Sequence, residues 1–167
     1  KGRKPVKTFW VSKKKEKDMW KFVGQKAREG KQAYIVCPRI EEDEEAGIES
    51  AVEQYESLSR GALKDFRLGL VHGKVSKEER DKVMQHFRDG KVQVLVSTSM
   101  IEVGLDNPNA IVMVVQDAER FGLAQLHQMR GRVGRGSEES FCFLVGDPAH
   151  DESRRRLRIL TKTTDGF

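Results

Sequence analysis

The chain has 167 residues, 34% of them charged, and its 31 lysines and arginines outnumber 26 aspartates and glutamates to leave a net charge of +5. One domain of that length can bury roughly 70% of its unfolded surface, and a moderate basic excess is compatible with a nucleic-acid partner without requiring one. Two cysteines far apart exclude a disulfide framework or a clustered metal site, and no run approaches the ~18 apolar residues of a membrane-crossing helix. No leader peptide is visible, so the expected location is the cytoplasm. The chain opens in a basic segment without an initiating Met and ends on Thr163-Thr-Asp-Gly-Phe167, as a piece of something longer would.

Short β-rich apolar runs alternate with helical patterns. Strands are expected over 6–11, 33–37, 68–72, 92–97, 111–115 and 140–146, several so wholly apolar that both faces must be covered, as in parallel sheets. A helix over 16–29 carries Met19, Trp20, Val23 and Ala27 on one stripe. The acidic run Glu41 to Glu45 reads as a solvated loop feeding a helix over 46–59, since carboxylates favour a first helical turn. A third helix over 77–89 opens with Ser76 and Glu79 at capping-box spacing and packs through Val83, Met84 and Phe87. Leu123 to Met129 belong to a fourth helix, and a last one spans about 152–160. Cys37 and Cys142, inside strand-like runs, read as reduced core residues. Alternating β and α of this kind predicts an α/β three-layer sandwich with a mostly parallel sheet and a short C-terminal helix. Ligands of such sheets bind beyond the carboxyl ends of the strands. His72 and Gly73, Ser97 and Thr98, and Asp117 fall there.

The run from Gln125 to Gly136 carries the most chemistry. It sets Arg130, Arg132 and Arg135 among Gly131, Gly134 and Gly136. Arg132 and Arg135, three apart, would project to one side of a helix or single turn. Planar guanidiniums suit phosphate oxygens, and interleaved glycines let backbone approach a ligand closely. A solvated basic helix end would explain the charge but not the alternation of Gly with Arg. Upstream, Ser97 to Asp106 reads as a strand ending in hydroxyls and then a turn, a general way to hold phosphate as well as ordinary capping. Gly104 and Asp106 form a turn before Asn107, and Asp106 can bond a ribose hydroxyl, an arginine or its own backbone. His72, with Arg80 nearby, is placed either to touch a phosphate or to serve structurally, and Arg39 after Pro38 is either a phosphate contact or a surface charge. No Gly-x-x-x-x-Gly-Lys-Ser/Thr loop occurs, and no acidic cluster ends a strand as a Mg²⁺ site would.

On these residues the chain resembles the second RecA-like domain of superfamily-two helicases, specifically in the RecG family of ATP-dependent DNA translocases. The Arg–Gly run resembles helicase motif VI, Ser97 to Asp106 motif V, and Val36 to Glu42 the region of motif IV. Phe121 to Gln128 resembles both RecG and its relative Mfd, a transcription-repair coupling translocase. Cys37 to Glu42 and Thr164 to Phe167 favour RecG, while Ser99-Met100 stands where the family usually has Thr-Val. The resemblance implies that Arg132 and Arg135 reach ATP phosphates bound on another domain, with Gly104, Asp106 and Gln128 contributing to the nucleotide site. It places Arg39, His72, Gly73 and Thr98 along DNA. It further implies ATP and Mg²⁺ held mainly by a first RecA-like domain, and branched double-stranded DNA and a DNA-binding wedge domain as partners. Residues 1–5 would be a linker, 6–150 the motor domain and 151–167 the start of a helical hairpin coupling motor to DNA. A chain without its own phosphate loop is expected to be inactive alone. The alternatives are an Mfd-type translocase, an RNA helicase half or a non-catalytic nucleic-acid-binding module.

Overall fold

A computed structural model describes residues 4–98 and 107–165, with side chains through 162. Gly104 and Asp106, two of the expected nucleotide residues, lie outside the described residues. Six strands, β1 (Val6–Val11), β2 (Gln32–Val36), β3 (Leu68–Val71), β4 (Val94–Ser97), β5 (Ala110–Val115) and β6 (Ser140–Val145), form one sheet in the order β1-β6-β5-β2-β4-β3. Every pairing is parallel, so the sheet is more uniform than the mostly parallel one expected. β2, β4 and β5 are buried at every position, which accounts for their unbroken apolar character: helices cover both faces.

Residue alternation along the strands divides the core. Ile35, Val94, Val96, Val112 and Val114 pack beneath α1 (Glu16–Arg28) and α2 (Glu44–Arg60), through Trp20, Val23, Ala51 and Leu58. Tyr34, Val36, Leu95, Met113 and Val115 face α3 (Lys77–Arg88), α4 (Leu123–Arg130) and α5 (Asp151–Asp165), through Met84, Phe87, Leu126, Met129, Leu157 and Leu160. Both cysteines are buried and free.

Local chemistry sets the helix starts. Asp43 in the middle of the acidic run accepts from Ala46 N at 3.1 Å, with Glu44 and Glu45 in the first turn of α2. Ser76 Oγ accepts from Glu79 N at 3.1 Å and caps α3, satisfying one of the donors a helix start leaves open. α5 runs five residues beyond its expected end, and within the expected span Leu157 and Leu160 anchor it in the domain core.

Candidate functional site

At the carboxyl ends of β2, β3 and β4 two cavities share Arg39, Ile40 and Thr98. A smaller one of about 210 Å³ is lined by His72, Gly73, Val71, Glu44, Gly47, Ile48 and Arg80 besides. A larger cleft of about 500 Å³ adds Pro38, Glu41, Glu42, Arg120, Phe121, Gln125, Gln128, Met129 and Arg132. The four residues expected along DNA therefore border the first cavity, and Arg39 and Thr98 join it to the cleft holding Gln128 and Arg132. The segments meet because parallel strands release their loops at one edge. Thr98 N donates to Val71 O at 3.3 Å, holding the end of β4 against β3.

α4 supplies one wall of the cleft. Gly122 N donates to Gln125 Oε1 at 2.8 Å at its start. Gln125 and Gln128, three apart, lie on one exposed face, while Leu126 and Met129 are buried opposite. The helix ends at Arg130, and Gly134 adopts φ +81°. Arg132 and Arg135 therefore flank a left-handed turn, and the common projection expected from helical spacing has no helix to rest on. Arg132 lines the cleft; Arg135 is exposed, its Nε donating to Gly131 O at 3.0 Å.

The third arginine of the run has a different employment. Arg130 Nη1 donates to Leu160 O at 3.2 Å, and Nη2 lies 3.0 Å from His127 Nδ1. It ties α4 to α5 instead of facing the cleft. Burial first, and the Arg130 charge second, hold the His127 pKa below the ordinary imidazole value. Arg156 acts likewise, donating from Nη1 to Glu119 O at 3.2 Å and Phe121 O at 3.1 Å. Neither partner was readable from sequence, because each is a backbone carbonyl brought near only by the packing of α5.

Several candidates are partly committed to the fold. His72 Nδ1 accepts from Lys74 N at 3.1 Å, a bond within its own turn. A Cβ at Gly73 would meet Glu44 Oε2 at 2.8 Å, so that carboxylate leans over the backbone expected to meet a phosphate. Asp117, also just past a strand, adopts φ 48° and pairs with Lys13 Nζ at 3.2 Å. It borders a separate polar recess with Cys37, Gln116 and residues of α2. Burial, reinforced by the Asp117 charge, pushes the Cys37 thiol up to about 12, and burial alone raises Cys142 to about 12. Both are poor nucleophiles.

The helicase conserved C-terminal domain model matches residues 14–137, from the turn before α1 through the arginine run. The chain belongs to the helicase conserved C-terminal domain family. This helicase C-terminal domain is 51% identical over 166 residues to the ATP-dependent DNA helicase RecG of Thermotoga maritima, covering 99% of this chain and 21% of that protein. It is 45% identical to RecG of Bacillus subtilis, covering 99% and 24%. The chain thus spans about a fifth to a quarter of the length of these relatives. Among solved structures, RecG bound to a three-way DNA junction aligns with TM-score 0.81 and 51% identity, over 99% of this chain and 21% of that one. The yeast DEAD-box splicing factor Prp28 aligns with TM-score 0.74 at 22% identity, over 98% and 34%, a likeness of fold alone. The domain has the RecA-like fold these neighbours share. Among the described residues, no helix is long and apolar enough to cross a membrane.

Proposed function

We propose that the chain is the second motor domain of an ATP-dependent DNA helicase that translocates on branched double-stranded DNA, such as stalled forks and recombination junctions. The convergence of Arg39, Thr98, Gln128 and Arg132 on one cleft carries this reading, because it joins residues suited to a nucleic-acid backbone with residues suited to a polyphosphate. A first RecA-like domain holds ATP and Mg²⁺.

When the domains close, Arg132 and Arg135 reach the transferred phosphoryl group. Their fixed positive charge stabilises the negative charge spreading over its equatorial oxygens, at no reorganisation cost during the reaction. Gln128, one turn before Arg132 on the same wall, orients the nucleotide side, with Gly104 and Asp106 completing it. Thr98, Arg39 and the His72-Gly73 turn contact the DNA backbone, where side-chain and backbone donors position a duplex without reading its sequence. A wedge domain splits the branch, and α5 is the first helix of the hairpin that passes motor movement to DNA.

The test is DNA-stimulated ATPase of the full polypeptide carrying this domain, beside thermal melting. Arg132→Ala and Arg135→Ala are each expected to lower turnover about 10³-fold or more. Arg135→Lys keeps the charge but loses the planar fork and should remain severely impaired. Near-normal turnover in Arg135→Lys, or activity lost only through unfolding, would overturn the assignment.

A further inference from the structure

One cationic side chain on the cleft wall has no role in the reading above. Arg120 lies in a single 3₁₀ turn, Ala118–Arg120, between β5 and α4. It lines the larger cleft with Gln125, Gln128 and Arg132. Its backbone is held from several directions. Arg120 N donates to Asp117 O at 2.9 Å and Phe121 N to Ala118 O at 3.1 Å. The neighbouring carbonyls of Glu119 and Phe121 both accept from Arg156 of α5, and Ala118 and Phe121 are buried. The side chain is the opposite: it is exposed, and among the described residues its guanidinium makes no hydrogen bond or ion pair, although Glu41 and Glu42 line the same cleft.

A solvated surface arginine needs no such mounting. A rigid backbone that carries an unpartnered, five-donor fork into a cleft has already met part of the ordering cost of binding an oxyanion. The wall then reads Arg120, Gln125, Gln128, Arg132, two guanidiniums bracketing two amides across a helix of eight residues, or about 12 Å. One guanidinium precedes α4 and the other follows it, so the two enter the cleft from opposite ends of that helix. We propose that Arg120 contacts a second phosphate group in the same cleft as Arg132, either of the bound nucleoside triphosphate or of the DNA backbone.

The assignment rests on the cleft being a phosphate site, as proposed above. Its test uses the full polypeptide carrying Arg120→Ala, Arg120→Lys or, as control, Arg132→Ala. ATP saturation is measured with a three-way DNA junction in excess, and binding of that junction is measured across a salt series. If the phosphate is the nucleotide's, Arg120→Ala raises KM for ATP about 10-fold or more, as expected for losing a charge-assisted contact, while junction binding is unchanged. Arg120→Lys restores little, because the fork is gone. If the phosphate is DNA's, KM for ATP holds, the log–log salt slope becomes shallower by about 0.9, and Arg120→Lys restores it. Because the side chain is exposed and unpartnered, melting should not move; if alanine lowers it, the lysine variant, which keeps stem and charge, decides by the same readouts. Unchanged KM, affinity and salt slope in Arg120→Ala overturn the proposal. With Arg132→Ala impaired, that result removes Arg120 alone. Normal turnover in Arg132→Ala removes the underlying reading of the cleft.

Discussion

Gly134 separates Arg132 from Arg135, and replacing it by alanine combines two penalties that the structure allows to be measured apart. Its φ of +81° costs an L-residue about 1–2 kcal/mol. A Cβ there would also lie 2.7 Å from Val6 Cγ2. Val6 is β-branched and stiff about χ1, and it sits in the β1–β6 ladder opposite Ser140, so it cannot swing aside freely; overpacking of this kind costs about 1–3 kcal/mol. Gly90, after α3, isolates the first penalty: its φ is +80° and nothing lies within 4 Å of the Cβ position. Gly90→Ala should therefore cost about 1–2 kcal/mol and Gly134→Ala about 2–5 kcal/mol. At roughly 2–4 °C per kcal/mol for a chain of this size, the expected losses in melting temperature are about 2–8 °C and about 4–20 °C. Thermal unfolding of both variants, and of Gly134→Ala combined with Val6→Ala, is the assay. The combination should recover about 1–3 kcal/mol relative to additivity. Equal losses in the two glycine variants, or no coupling to Val6, would refute the close contact between the arginine turn and the first strand.

Leu157→Ala, at a fully buried position of α5, should cost about 2–5 kcal/mol, whereas Ile159→Ala, at a side chain 40% exposed, should cost well under half of that; equal melting losses would mean that α5 does not pack as described. Because both folded thiols are held at about 12 against an ordinary value of 9.0, their stabilisation is fully present below pH 9 and is lost as pH rises beyond it. Stability should therefore fall through that range, less steeply in Cys142→Ala than in the parent chain when each is compared with its own stability at pH 7, and a parallel decline in denaturant titrations would contradict it. DNA binding by this chain should weaken steeply with salt and show no base preference, because the cleft offers backbone contacts; a binding constant equal at low and physiological salt counts against the assignment.

Strand and helix positions were legible because the fold expresses the two periodicities directly. Ile35 and Val36 fall to opposite faces of one strand, and Trp20 and Val23 to one stripe of α1. The caps at Asp43 and Ser76 were legible because they are local bonds. Sheet order was not: nothing in either sequence segment says that Val6 lies beside Ser140. In the site, Arg39, Thr98, Gln128 and Arg132 were marked by residue type and motif, and they do meet. The failure of helical spacing at Arg135 comes from the left-handed Gly134, which interrupts the period on which that inference relied. Arg130 and Arg156 carry the same guanidinium as Arg132, yet they end on carbonyls of Leu160, Glu119 and Phe121. Composition cannot tell a ligand-facing arginine from one that staples backbone.

The pairing of the first strand with the last has a consequence for synthesis on the ribosome. Val6 must wait for Ser140, which at about 5–20 residues per second emerges roughly 7–27 s later. Until then β1 has no strand partner, since β6 stands between it and the rest of the sheet. A nascent chain stalled anywhere before β6 therefore carries the arginine run, once translated, without the strand that braces its turn. Completion of the sheet and completion of the candidate site are one late event.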